Sequence, residues 1–130
     1  MKALLDTDIL LDVALQRAEF FPDSSRMLEW AEAAPGQAAV AWHSLSNLAY
    51  LLRPDARLFI RGLLAFVDVA LVGTLQARQA LNLPLPDFED ALQVASALSF
   101  GANYIVTRNL AHYRRSPVPA LSPAQFLTKN

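Results

Sequence analysis

At 130 residues the chain is long enough to bury one real core, and with 54% apolar and 18% charged residues it is not a disordered chain. Charges or proline interrupt every apolar run before it reaches the length of a membrane span, and the absence of Cys excludes disulfides and thiolate metal sites. A net charge of −1 excludes binding of nucleic acid mainly through the protein's own field, so any RNA contact has to come from local arginines or a bound cation.

In chain order, MKALLDTD has one Lys followed by acids, unlike a secretory signal, so a cytoplasmic protein without a membrane anchor is expected. Ala3-Leu4-Leu5 reads as a buried first strand ending at Asp6. From Asp8, the spacing of Leu11 and Leu15 with Asp12 is helical. Pro22-Asp23-Ser24 opens a second helix, which Pro35-Gly36 stops. Ala38 to Ala41 is a second buried strand, and Trp42-His43 turns into a helix striped by Leu45, Leu48, Ala49 and Leu52. Pro54-Asp55 begins another helix, with Leu58, Phe59, Leu63 and Leu64 as its apolar side and Arg53, Arg57 and Arg61 as a solvated stripe.

Phe66 to Leu71 reads as the third strand, followed by a helix from Gly73-Thr74 to Leu81. Leu83-Pro84-Leu85-Pro86 is a stiff connector that cannot be helical. The helix from Asp87 to about Phe100 is the best defined, stopped by Gly101. Tyr104 to Thr107 is a fourth strand, Arg108 to Arg114 a short helix, Val118 to Leu121 a last strand, and Pro123 starts a terminal helix. Strands without polar–apolar alternation, separated by helices, imply a parallel sheet covered on both faces. No repeat, linker or low-complexity stretch divides residues 1–130, so one domain is expected.

In such a sheet, ligands bind beyond the carboxyl ends of the strands. That edge collects Asp6-Thr7-Asp8, Trp42 to Asn47, Thr107-Arg108-Asn109 and the helix start at Asp87. On that helix Ala91, Val94, Ala95 and Leu98 define the inward stripe; Asp87 falls within it and Asp90 on its flank. Glu89 points the other way with Gln93 and Ser96, into solvent. An acid closing a buried strand is costly unless something compensates it. Asp6, Asp87 and Asp90 together therefore suggest a shared cation, and the competing reading makes Asp6 and Asp87 helix caps with Asp90 as a capping-box-like partner of Asp87. Asp8 can also be read as a cap. His43 and His112 read as structural or surface residues, although His43 stands one turn from Asn47 on the same face and can line the cleft. Trp30 and Trp42 read as core or interface residues.

LLDTDILLDVAL resembles the opening motif of PIN-domain nucleases, LPDFEDALQVASALSFGANYIVTRN resembles their second block, and SPAQFL is similar to their closing segment. The resemblance, which extends to VapC-type toxin ribonucleases, implies a three-layer α/β/α domain with a central, mostly parallel sheet of four to five strands. It implies an endoribonuclease that hydrolyses RNA with a metal-activated water, with Asp6, Asp90 and Asp87 as catalytic residues and ligands of Mg²⁺ or Mn²⁺. Asp8, Asn47 and Asn109 would surround the metal site, and Arg108, Arg114 and Arg115 would touch RNA. A small antitoxin protein and a homodimer are the implied partners.

This chain departs from the family pattern at three places. Asn47 stands where a Glu is usual, Asn109 where an Asp is frequent, and Asp8 where the family usually has Asn. The missing charges keep a second reading open, a non-catalytic PIN-fold module that binds RNA or protein. A phosphate-binding domain of another kind would need a Gly-rich loop after the first strand, and DTDILLD has none.

Overall fold

A computed structural model describes residues 1–129. Five short parallel strands, β1 (Ala3–Leu5), β2 (Ala38–Val40), β3 (Asp68–Val69), β4 (Tyr104–Val106) and β5 (Ala120–Leu121), form one sheet in the order β3-β2-β1-β4-β5. Seven helices connect and cover it: α1 (Thr7–Ala14), α2 (Phe21–Ala33), α3 (Trp42–Leu51), α4 (Ala56–Leu63), α5 (Thr74–Leu81), α6 (Phe88–Phe100) and α7 (Pro123–Lys129). A 3-10 turn spans Leu110–Tyr113. None of the described helices is long and apolar enough to cross a membrane.

The strands are apolar throughout because both faces are covered. Ala3, Leu5, Ala38, Val40 and Val106 pack with Ile9 and Leu10 of α1, Met27 and Ala31 of α2, and Phe126 of α7. Leu4, Ala39 and Ile105, on the opposite side of the pleat, pack with Val94 and Ala97 of α6. Phe126 is fully buried, with Trp30 edge-on at 4.8 Å and Tyr104 at 6.2 Å between ring centroids. The terminal helix is fixed by reciprocal capping: the Gln125 amide donates to Ser122 Oγ, and the Ser122 amide donates to Gln125 Oε1.

Three expectations need correction. The third strand is shorter than Phe66 to Leu71, because β3 is an edge strand whose neighbour β2 offers only three residues. Leu58 was expected on the apolar side of its helix and is 71% exposed; Leu63 does the packing. On α6, Gln93 and Ser96 are buried and Leu98 is exposed. That helix lies between the sheet and α5, so it buries more than one stripe. It ends where Gly101 takes φ 76, a left-handed conformation that glycine adopts without a Cβ clash.

The order in which the strands are added reverses between β1 and β4. β2 and β3 extend from one side of β1, and β4 and β5 extend from the other. The crevice beyond the carboxyl ends of β1 and β4 is therefore where a ligand is expected.

Candidate functional site: a carboxylate cluster short of protons

Asp6 closes β1, its amide still in the ladder through Val106 O at 2.9 Å. It occupies the N-cap position of α1, where its Oδ1 accepts from the Thr7 amide at 2.8 Å. Its Oδ2 accepts from Thr107 Oγ1 at 2.8 Å and from the Tyr113 hydroxyl at 3.0 Å. One side chain thus caps α1 and also shares the Tyr113 hydroxyl with Asp90. Burial raises the Asp6 pKa; the bonds from Thr107, Thr7 and Tyr113 oppose that shift, and the charge of Asp90 adds to it.

Asp90, on the first turn of α6, reaches the same hydroxyl: Tyr113 Oη lies 3.3 Å from its Oδ1, and His112 Nδ1 lies 3.2 Å from its Oδ2. Its side chain is 16% exposed. Burial raises its pKa and the Asp87 charge raises it further, against His112 and the Tyr113 bond. Tyr113 is itself held neutral, its pKa pushed far up by burial and then by the charges of Asp6 and Asp90. Sequence reading missed Tyr113, which aims inward from a short 3-10 turn with no periodicity to reveal it.

Asp8 is not the helix cap, since Asp6 holds that position and Asp8 sits in the first turn. Its Oδ2 accepts from the Arg108 amide at 3.0 Å, Asn109 Nδ2 at 3.1 Å and Thr107 Oγ1 at 3.2 Å. Its Oδ1 is buried with no hydrogen-bond partner. Burial, followed by the charge of Asp6, raises the Asp8 pKa to about 6. Asn109 turns its amide donor toward Asp8, and its backbone N–H donates to Thr107 Oγ1 at 3.0 Å.

The guanidinium of Arg108 lies elsewhere than expected. Its Nε and Nη2 donate to the two carboxylate oxygens of Asp12 at 2.7 and 3.0 Å, and it stacks on Phe20 with 3.8 Å from Cζ to the ring centroid. Asp12 is fully buried in α1 and also accepts from Ser24 Oγ at 3.0 Å, with Arg17 at 3.4 Å. A buried carboxylate needs such a partner, and Arg108 supplies it to Asp12. Arg114 and Arg115 remain exposed.

The remaining expected residues surround the same cleft, of about 360 Å³. Asn47, His43, Asp87, Glu89 and Gln93 line it together with Asp6, Asp8 and Asp90. Asp87 is exposed, and its Oδ1 accepts from the Glu89 amide at 2.8 Å, so the N-cap reading holds for it. Glu89 is solvated as expected but does not turn away: it lines the cleft, and its charge opposes the downward shift that burial imposes on His43. Gln93, read as solvent-facing, donates to Ser44 Oγ at 2.9 Å and Thr7 Oγ1 at 3.3 Å, tying α6 to α3 and α1.

Proton counting shows what the cluster lacks. Thr107 and Tyr113 each have one hydroxyl proton, yet each lies within bonding distance of two carboxylates. Asp8 Oδ1 receives nothing. Three carboxylates with raised pKa values therefore face each other short of positive charge, which suits either retained protons or a cation. Among the described residues no three His, Cys, Asp or Glu side chains converge closely enough to hold a metal ion by themselves. The donors present fit a hard divalent cation such as Mg²⁺, which takes one or two carboxylates and keeps several waters, and not a cage of protein ligands.

An α/β/α protein with acids gathered at the switch point of a parallel sheet is the class that this arrangement defines. A family model described as the PIN domain matches residues 2–111, and the chain belongs to the PIN domain family. Among solved structures it is similar to a chain of VapBC2 from Rickettsia felis, crystallised bound to a DNA fragment from their promoter. The TM-score is 0.72 at 15% identity, covering 94% of this chain and 98% of the other. It is also similar to a chain of a toxin–antitoxin complex from Klebsiella pneumoniae, with TM-score 0.69, 21% identity and the same two coverages. These likenesses concern the fold. No curated protein matches the sequence at a significant level.

Proposed function

We propose that this chain is a divalent-cation-dependent endoribonuclease and the toxin of a toxin–antitoxin pair. The observation that carries the proposal is the proton-short cluster of Asp6, Asp8 and Asp90 at the sheet's switch point. Asp6 and Asp90 hold the cation. Asp87 orients a water from the rim through the carboxylate oxygen that does not cap α6. Asp8 returns part of the negative charge that Asn47 and Asn109 do not supply, and those two amides bind coordinated water. A bound Mg²⁺ or Mn²⁺ supplies Lewis acidity on the phosphate and makes a water nucleophilic near neutral pH.

The chain's own groups do the rest. Thr107 and Tyr113 both donate to Asp6 Oδ2 while the Thr7 amide holds Oδ1, and Tyr113 ties the carboxylate to Asp90. Arg114 and Arg115 lie beside the acids and contact RNA phosphate, which offsets the repulsion between an acidic cleft and a polyanion. The likeness to chains from toxin–antitoxin structures supports an antitoxin partner. Cytoplasmic location and a homodimer belong to the same reading.

One observation favours the other reading, a non-catalytic module that binds RNA or protein. Asn109 presents its NH₂ to Asp8, so it donates a hydrogen bond to the cluster instead of adding a carboxylate ligand to it. Incubating purified protein and single-stranded RNA with Mn²⁺ decides between them. Cleavage that disappears with chelator and in Asp6→Asn is the expected result. Binding without cleavage in every cation would establish the module, and undiminished cleavage by Asp6→Asn would refute the assigned centre.

A further inference from the structure

Beside the acidic cleft is a second recess, of about 610 Å³, walled by Pro84, Pro86, Arg114 and Arg115 and sharing Asp87, Asp90 and His112 with the cleft. Its volume is within the ~300–1,000 Å³ typical of small-molecule sites. The connector Leu83-Pro84-Leu85-Pro86 explains its shape. Leu83 and Leu85 pack down on Ala80, Ala91 and Ala95, while Pro84 and Pro86 are exposed. The alternation presents two rigid rings outward from an anchored backbone, a carbon wall that loses little entropy when something stacks on it. In the same recess, Arg114 and Arg115 have no carboxylate partner among the described residues, although Asp87 and Asp90 line it too.

We propose that this recess seats the nucleotide next to the scissile phosphate, its base against Pro84 and Pro86 and its outer phosphate on Arg114 and Arg115. The inference rests on the nuclease reading and adds where the RNA lies. The shared wall makes the placement: a phosphodiester held over Asp90 has its neighbouring nucleoside above the recess. Charge complementarity selects the ligand, because a phosphate brings to the free arginines the anion that the cleft acids do not. The two proline rings offer a base no hydrogen bond, so contact with that wall tolerates any sequence.

An abasic scan tests this on the intact protein. A short fluorescein-labelled single-stranded RNA containing every dinucleotide step is bound with Ca²⁺ in place of Mg²⁺, and single abasic nucleotides are moved along it. One abasic position, adjacent to the mapped cut, is expected to weaken binding by about fivefold, less than the roughly tenfold or more that loss of a base stacked on an aromatic ring costs. The same substitution should weaken binding to a Pro84→Ala, Pro86→Ala protein by about twofold or less, while Arg115→Gln lowers affinity at every position alike. RNA that is bound and cut but indifferent to each abasic position overturns the recess assignment and leaves the nuclease reading intact. Failure of the wild-type protein to bind RNA at all overturns both.

Discussion

Replacing Asp8 by Asn should stabilise the metal-free protein, although it deletes a buried charge that makes three hydrogen bonds. The Asp8 pKa stands at about 6, raised from 3.8 by burial and by the Asp6 charge. A raised carboxylate pKa means that the native state binds the proton more tightly than the unfolded chain does. Stability from this group is fully present below pH 3.8 and is lost as pH rises through about 6. A shift of about two units corresponds to about 3 kcal/mol at neutral pH, an upper bound for what neutralisation restores. In Asp8→Asn the amide oxygen can still accept from Thr107, Arg108 and Asn109, whereas the NH₂ lies where Oδ1 has no partner. Leaving that donor unsatisfied costs about 1 kcal/mol or more. The net gain at pH 7.5 is therefore at most about 2 kcal/mol, or up to about 8 °C in melting temperature for 130 residues. Calorimetry at pH 7.5 and 3.5, without divalent cations, measures it. The gain should vanish at the lower pH; a gain of equal size at both, or a loss at pH 7.5, would refute the charge argument.

Two further perturbations probe the supports of the cluster. Arg108→Ala strips the bidentate partner from fully buried Asp12 and should cost about 3 kcal/mol in urea unfolding; a cost within error would mean that Arg17 and Ser24 suffice. Tyr113→Phe removes the hydroxyl shared by Asp6 and Asp90. It should lower apo stability at pH 8 by about 1.5 kcal/mol, the opposite sign to Asp8→Asn, and no loss would mean that the hydroxyl does not hold the carboxylates.

The parallel sheet was legible because its strands are uniformly apolar, and helices such as α6 because acids precede them and glycine ends them. Asp6 and Asp90 could be brought together by reasoning alone, since one closes a buried strand and the other starts a helix at the same edge. The partners of these acids were not legible. Tyr113, Thr107 and Gln93 act through orientations that packing sets, and the inward stripe of α6 misplaced Gln93 because that helix is covered by both sheet and α5. One signal was available and went unused. Asp12 lies between Leu11 and Val13 in an apolar helix, and a buried acid there requires a cation. That requirement leads to Arg108, whose place near the acids had suggested contact with RNA phosphate.

Direct calorimetric titration with Mn²⁺ near pH 6, in two buffers of different ionisation enthalpy, tests the cation claim most closely. Asp8 has its pKa raised to about 6, so it is partly protonated near pH 6 and a cation entering the cluster displaces that proton. The account predicts saturable binding at millimolar Mn²⁺ or below, with proton release that declines toward pH 8, and neither in Asp6→Asn. Binding without proton release, or equal binding by Asp6→Asn, would place the cation elsewhere and contradict the account.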